Sequence, residues 1–138
     1  MRTAIVDHEI DLRALVGQVA QHRNGATVLF VGTVRDVNEG APVAALDYSA
    51  YAGMAETELA AIALEAAERW STPDIVIEHR VGSLGLGDAS VAIVVAHPHR
   101  AEAYEASRYI IEELKRRLPV WKREHYVGGR SEWVHAAG

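Results

Sequence analysis

The sequence contains no cysteine among its 138 residues. That excludes a disulfide framework, a thiolate metal site and a cysteine nucleophile. Lysine is almost missing as well. Of fourteen basic residues twelve are arginines, and the two lysines, Lys115 and Lys122, both lie in ELKRRLPVWKRE. Long apolar runs are absent. The purest, VAIVVA at 91–96, is strand-sized and far short of the ~20 residues of a membrane span. Acidic residues interrupt MRTAIVDHEIDLRALVG before an apolar core can form, so the N-terminus does not read as a signal peptide. Nor is there an internal repeat, a low-complexity stretch or a linker. The expectation is one domain over residues 1–138, soluble and cytoplasmic.

What the chain does have is an uneven charge distribution. Its net charge is −5. Residues 115–130 hold Lys115, Arg116, Arg117, Lys122, Arg123 and Arg130 against Glu124 alone, which makes that segment +5 and leaves −10 elsewhere. A concentrated basic patch on an acidic protein suits a local anionic ligand or an acidic partner. A solvated helix end followed by a charged loop accounts for the same residues.

Periodicity divides the chain into elements. TAIVDHEI reads as a first strand. Asp11 reads as an N-cap, and Leu12, Leu15, Val16 and Val19 follow at helical spacing to about Gln21. Residues 26–36 read as a buried strand, 37–42 as a long mobile hairpin connection, and 43–51 as its return strand. Residues 53–70, which contain Met54, Leu59, Ile62, Ala63, Ala66 and Trp70 and the alanines and glutamates of AETELAAIALEAAE, predict a helix. Residues 74–82 read as a strand with Ile75, Ile77 and His79 on one face. SLGLGD is a turn, and 89–99 a central strand apolar on both faces. Ala101 to Leu118 predicts a second long helix, with a buried stripe of Tyr104, Ile111, Leu114 and Leu118 and with Ile110 alongside. Pro119 stops it. VWKREHYV then reads as extended, with a last short strand at Trp133-Val134. The fold class is α+β, its sheet mostly antiparallel, with two long helices and one short N-terminal helix.

Several candidate sites weaken on inspection. The glycines of GSLGLGD precede a strand, whereas a phosphate loop needs a helix N-terminus. His97 and His99 flank Pro98 with no third ligand placed by the sequence, so no metal is expected. A histidine–arginine pair ending in Arg100 suits an anion better, with His97 as a core histidine the plain alternative. Arg35 ends a strand beside a loop of Gly, Asn and Glu. The lysines are more informative. Desolvation can make a lysine a base or nucleophile, which arginine cannot usefully be. Pro119 puts Lys115 on the last helical turn and Lys122 on the next strand, and both can converge on one pocket.

FVGTVRD (30–36), YSAYAGMAETEL (48–59), HRVGSLGLGD (79–88), AHPHRAEAYEA (96–106), LKRRLPVWKRE (114–124) and GGRSEWV (128–134) occur in order. Together they resemble the large, catalytic subunit of molybdopterin synthase over nearly the whole chain. The resemblance implies an α/β hammerhead fold. It also implies a sulfurtransferase of molybdenum-cofactor biosynthesis that turns cyclic pyranopterin monophosphate into molybdopterin. Sulfur would arrive as a thiocarboxylate on the C-terminal Gly-Gly of a small ubiquitin-like subunit. The large subunit would form a homodimer within a heterotetramer. A chain without thiols cannot carry a persulfide, which agrees with sulfur delivered by a partner. By position, Lys115 and Lys122 match the family's active-site lysines, with Arg123 and Glu124 lining the same site. His99 and Arg100 match its substrate-binding pair, and Thr33, Val34 and Arg35 its closing loop. No cofactor is implied. The chain departs from the pattern at Ala52, where proline is usual, at His97-Pro98, and after Val134, where many relatives carry a longer charged tail. Two other readings stand beside this one. One is a non-catalytic module binding an anion or an acidic protein. The other is single-stranded nucleic-acid binding through Trp121, Tyr126 and the arginines; the acidic remainder argues against it, so no nucleic acid is expected.

Overall fold

The computed structural model describes residues 1–136. Its elements are β1 (Arg2–Val6), α1 (Leu12–Gln18), β2 (Ala26–Thr33), β3 (Val37–Asn38), β4 (Ala41–Ala50), α2 (Ala52–Arg69), β5 (Ile75–Arg80), β6 (Gly82–Gly85), β7 (Ala89–His97), α3 (Arg100–Arg117), β8 (Val120–Tyr126) and β9 (Trp133–His135). They form two sheets. The first has the order β1-β5-β7-β2, and only its β1–β5 pair is parallel. In the second, β4 runs between β8 and β6, β9 pairs β8, and β3 pairs β4. This is the mixed, mostly antiparallel α+β class that the patterning predicts.

Local chemistry explains most boundaries. The Asp11 carboxylate accepts from the Ala14 N–H at 3.1 Å, capping α1. The three cations of Lys115, Arg116 and Arg117 sit in the last turn of α3, where they complement the helix dipole. Leu118 then turns extended (φ −72°, ψ 126°), as a residue before proline must.

Long-range packing changes several readings. Strand β2 is not buried: it is a sheet edge, and Leu29 is 40% exposed. Residues 37–42 are not a long loop: they form β3, a two-residue turn and the start of β4. Glu39 (φ 49°) and Gly40 (φ 79°) join β3 to β4 in the left-handed conformation that a tight hairpin needs. Part of SLGLGD is a strand, β6, annealed to β4. On α2 the inward face is Ala55, Leu59, Ile62, Ala63 and Ala66, while Met54 is 66% exposed. On α3 it is Ala103, Ala106, Ser107, Ile110 and Leu114, while Tyr104 points to solvent. In both helices the small residues face inward, because they let α2 and α3 approach each other and the sheet closely. The α2–α3 pair packs on one face of the first sheet and α1 on the other. The two helices are also clamped at their rim: Arg117 bridges Glu58 (2.6 Å) and Glu65 (2.7 Å), and Tyr109 donates to Glu65.

Candidate active site

A cavity of about 170 Å³ opens where the two sheets meet the C-terminal end of α3. The end of β2 and the segment after it contribute Thr33, Val34 and Arg35. Strand β4 contributes Leu46 and Tyr48, α3 contributes Lys115, and β8 contributes Lys122 and Glu124. Gly32 is required at this wall by close approach, since a Cβ there would stand 2.7 Å from a Val91 methyl. The register slips between Gly32 and Thr33, and Val34 is then tied to the β6–β7 turn through the Asp88 carbonyl (3.0 Å) and the Gly87 N–H (2.9 Å). That tie directs the Val34-Arg35 backbone across the cavity mouth.

The two lysines do converge on this cavity, one from a helix and one from a strand, and they sit in unlike surroundings. Lys122 is largely buried and pairs with Glu124 Oε1 at 3.1 Å. Lys115 has no hydrogen bond or ion pair among the described residues. As a whole residue Lys115 is exposed. Yet desolvation at the cavity, then the like charges of Lys122 and Arg35, lower its pKa below the ordinary lysine value. Burial alone would raise the Glu124 carboxyl; hydrogen bonds from Tyr126 and Lys122, with the Lys122 charge and Asn38, outweigh it and lower the pKa. Behind the lysines lies His79, 5% exposed and edge-on to Tyr48 with ring centroids 5.2 Å apart. Burial depresses His79 to about 4, and the Lys115 charge adds to the effect. The imidazole is therefore neutral at physiological pH and adds no charge near Lys115. The arrangement can hold an anion against three cations and can move a proton through Lys115, which has no counter-ion among the described residues.

Residues 5–117 match the family model described as MoaE protein. The chain belongs to the MoaE family. MoaE relatives that bear the name molybdopterin synthase catalytic subunit include one from Halalkalibacterium halodurans, 44% identical over 96% of this chain and 85% of that protein. Another, from Bacillus subtilis, is 38% identical over 96% of this chain and 84% of its own. The crystal structure of molybdopterin synthase from Staphylococcus aureus superposes with a TM-score of 0.89 at 38% identity, covering 95% of each chain. A Helicobacter pylori complex of subunits 1 and 2 of the molybdopterin-converting factor shares the fold, with a TM-score of 0.76 at 22% identity. The family resemblance carried by the six motifs is borne out.

Within this MoaE chain the expected site residues do not all meet. Thr33, Val34, Arg35, Lys115, Lys122 and Glu124 line one cavity. Arg123 does not, because alternation along β8 turns it to the opposite face from Lys122 and Glu124. There it donates to Asp47 at 3.0 Å and lies over the Trp133 ring at 4.9 Å. Asp47 also receives His125 at 2.6 Å and Ser83 at 2.7 Å, and these bonds, that of His125 foremost, hold it at about 2. His99 and Arg100 are exposed at the start of α3. Arg100 and Lys115 are fifteen positions apart on α3, about 22 Å at 1.5 Å per step. His97 is a core histidine. Its Nε2 donates to the Trp70 carbonyl at 2.9 Å, and its Nδ1 accepts the His99 N–H at 2.9 Å. No cluster of three potential metal ligands occurs among the described residues.

Three residues behind or beside the lysines were not among the expected site residues: Asn38, which lines the cavity, Tyr126, which borders the adjoining recess, and the buried His79. Tyr126 had a signal, since it lies two and four places beyond Glu124 and Lys122 on one strand face. Asn38 had none, because its place depends on how the hairpin folds back over β8.

Proposed function

We propose that this chain is the catalytic subunit of a molybdopterin synthase. It would transfer sulfur from the C-terminal thiocarboxylate of a small ubiquitin-like subunit to cyclic pyranopterin monophosphate, in the cytoplasm, as a step of molybdenum-cofactor biosynthesis. The observation that supports this best is the gathering of Arg35, Lys115 and Lys122 from three separate elements around one cavity of an otherwise acidic MoaE chain. Both reactants are anionic where they must be held, one at its phosphate and the other at its thiocarboxylate. Arg35 and Lys122 supply fixed charge. Lys115, with its lowered pKa, exchanges the proton and stabilises the charge that develops as the acyl group leaves sulfur. The absence of cysteine rules out a persulfide on this chain and so fits sulfur that arrives already activated on the partner.

His99 and Arg100 fit this reading only if they serve a second copy's cavity. Strand β2 is an exposed edge with Thr33 at one end, and its other end pairs with His97, two residues before His99. Antiparallel pairing of two such edges would carry His99 and Arg100 of one copy toward Thr33 and Arg35 of the other. The heterotetramer then has a homodimer at its centre. The test is reconstitution. The chain, the thiocarboxylated small subunit and the pterin are mixed, and molybdopterin is assayed as its fluorescent oxidation product. Product forming only when all three are present is expected. Tight binding of the pterin or the partner with no dithiolene formed would replace the reading with that of a non-catalytic anion- or acidic-protein-binding module.

A further inference from the structure

The pairing of Lys122 with Glu124 does not stand alone. The Tyr126 hydroxyl donates to Glu124 Oε2 at 2.7 Å, while Lys122 occupies Oε1 at 3.1 Å. Asn38 Nδ2 in turn donates to the Tyr126 oxygen at 3.1 Å. The four side chains form one chain of hydrogen bonds from the β3–β4 hairpin to the cavity, Asn38 to Tyr126 to Glu124 to Lys122. Each carboxylate oxygen has a dedicated partner, and the tyrosine both accepts and donates. Tyr126 is pinned from outside as well, with the Arg130 guanidinium 4.5 Å from its ring centre.

We infer that Tyr126 and Asn38 are positioning residues that act through Glu124 to hold the Lys122 ammonium in the cavity, so that the hairpin and the anion-binding lysine form one unit. The inference rests on the proposed function for its kinetic consequence but not for its structural one. A lysine has four rotatable bonds, and an ion pair with a freely turning carboxylate would not fix them. Once one carboxylate oxygen is committed to Tyr126, only the other remains to Lys122, and its direction is set. The other charged groups around Glu124 do not replace this contact. Lys115 from α3 and Arg35 from the segment after β2 face it across the cavity, and Glu39, Glu132 and His135 border the adjoining recess. None of them bonds Oε2 among the described residues. The role differs from catalysis: Tyr126 stands outside the cavity lining, and Asn38, which borders the cavity, spends its amide on the Tyr126 oxygen.

The decisive variant is Tyr126→Phe, which removes one oxygen and keeps the ring on which Arg130 stacks. In the assembled synthase it should raise KM for the pterin about tenfold, the weight of one hydrogen bond to a charged group, with kcat within about twofold. Asn38→Ala should act in the same direction and more weakly. Because Tyr126 works through the carboxylate, adding Tyr126→Phe to Glu124→Gln should change KM no further. In the free chain, carboxyl-carbon NMR should show the Glu124 titration moving up in Tyr126→Phe, since its burial persists while a stabilising bond is lost. An unchanged KM, or additive effects in the double variant, would overturn the assignment. If the wild-type mixture makes no molybdopterin, the proposed function falls but the positioning claim does not. The carboxyl titration then decides it, and a wild-type curve in Tyr126→Phe rejects it.

Discussion

At the scale of single residues, the two lysines divide the work because their surroundings differ. Lys122 is tied to Glu124, whereas Lys115 has no counter-ion among the described residues and a lowered pKa. Lys115→Ala should therefore lower single-turnover product formation by about 10²- to 10⁴-fold, the usual weight of a general acid–base, with the circular dichroism spectrum unchanged. Lys115→Arg should not restore the rate, since arginine keeps the charge but cannot exchange the proton. Activity above 1% of wild type in Lys115→Ala would remove it from that role. His79 makes a separate prediction. Its folded pKa is about 4 against 6.5 in an unfolded chain, so the unfolded state binds the extra proton. The stabilisation from keeping this ring neutral is complete above pH 6.5 and is lost as pH falls toward 4. It amounts to about 3 kcal/mol if the whole shift is expressed. Urea denaturation between pH 7 and 4 should show this loss, and His79→Phe should flatten that part of the curve. Glu65 acts in a lower window. Arg117 and Tyr109 hold its carboxyl at about 2, so its contribution is present above pH 4.5 and disappears below that.

At the scale of elements, position along the chain was legible and orientation was less so. Asp11, Ser71-Thr72-Pro73 and Pro119 mark ends because capping and proline geometry act over a few residues. The inward face of a helix is different. Met54 and Leu59 both belong to an apolar pattern on α2, yet Leu59 is fully buried and Met54 is not. An α-helix rich in alanine has several adjacent apolar faces, and the partner surface selects among them. Leu59→Ala should cost about 2–5 kcal/mol in unfolding free energy. Met54→Ala should stay within about 0.5 kcal/mol. Equal losses in the two variants would mean that α2 is rotated from the orientation described. Along β8 the alternation of a strand separated Lys122 and Glu124 from Arg123, a distinction that charge counting over residues 115–130 had blurred.

At the scale of the whole molecule, one copy brings six of the nine expected or matched site residues to one cavity and leaves His99, Arg100 and Arg123 elsewhere. If His99 and Arg100 act across a homodimer, two inactive variants should complement. Mixing Lys115→Ala with Arg100→Ala subunits after subunit exchange should restore about a quarter of the sites in a symmetric dimer, and the recovered product measures them. No recovery, with exchange verified by mass spectrometry, would place Arg100 outside the site. The sequence alone determined the class of elements, their order and the family, because each rests on local periodicity, on turn chemistry or on motifs read in series. It also determined, through the lack of cysteine, that this chain cannot itself carry sulfur on a thiol. Only the tertiary structure decided that Lys115 and Lys122 share a cavity, that His79 is buried against Tyr48 behind it and that Asn38 reaches Tyr126. These contacts join residues remote along the chain, and their geometry is set by how two sheets and a helix end pack, which no local pattern encodes.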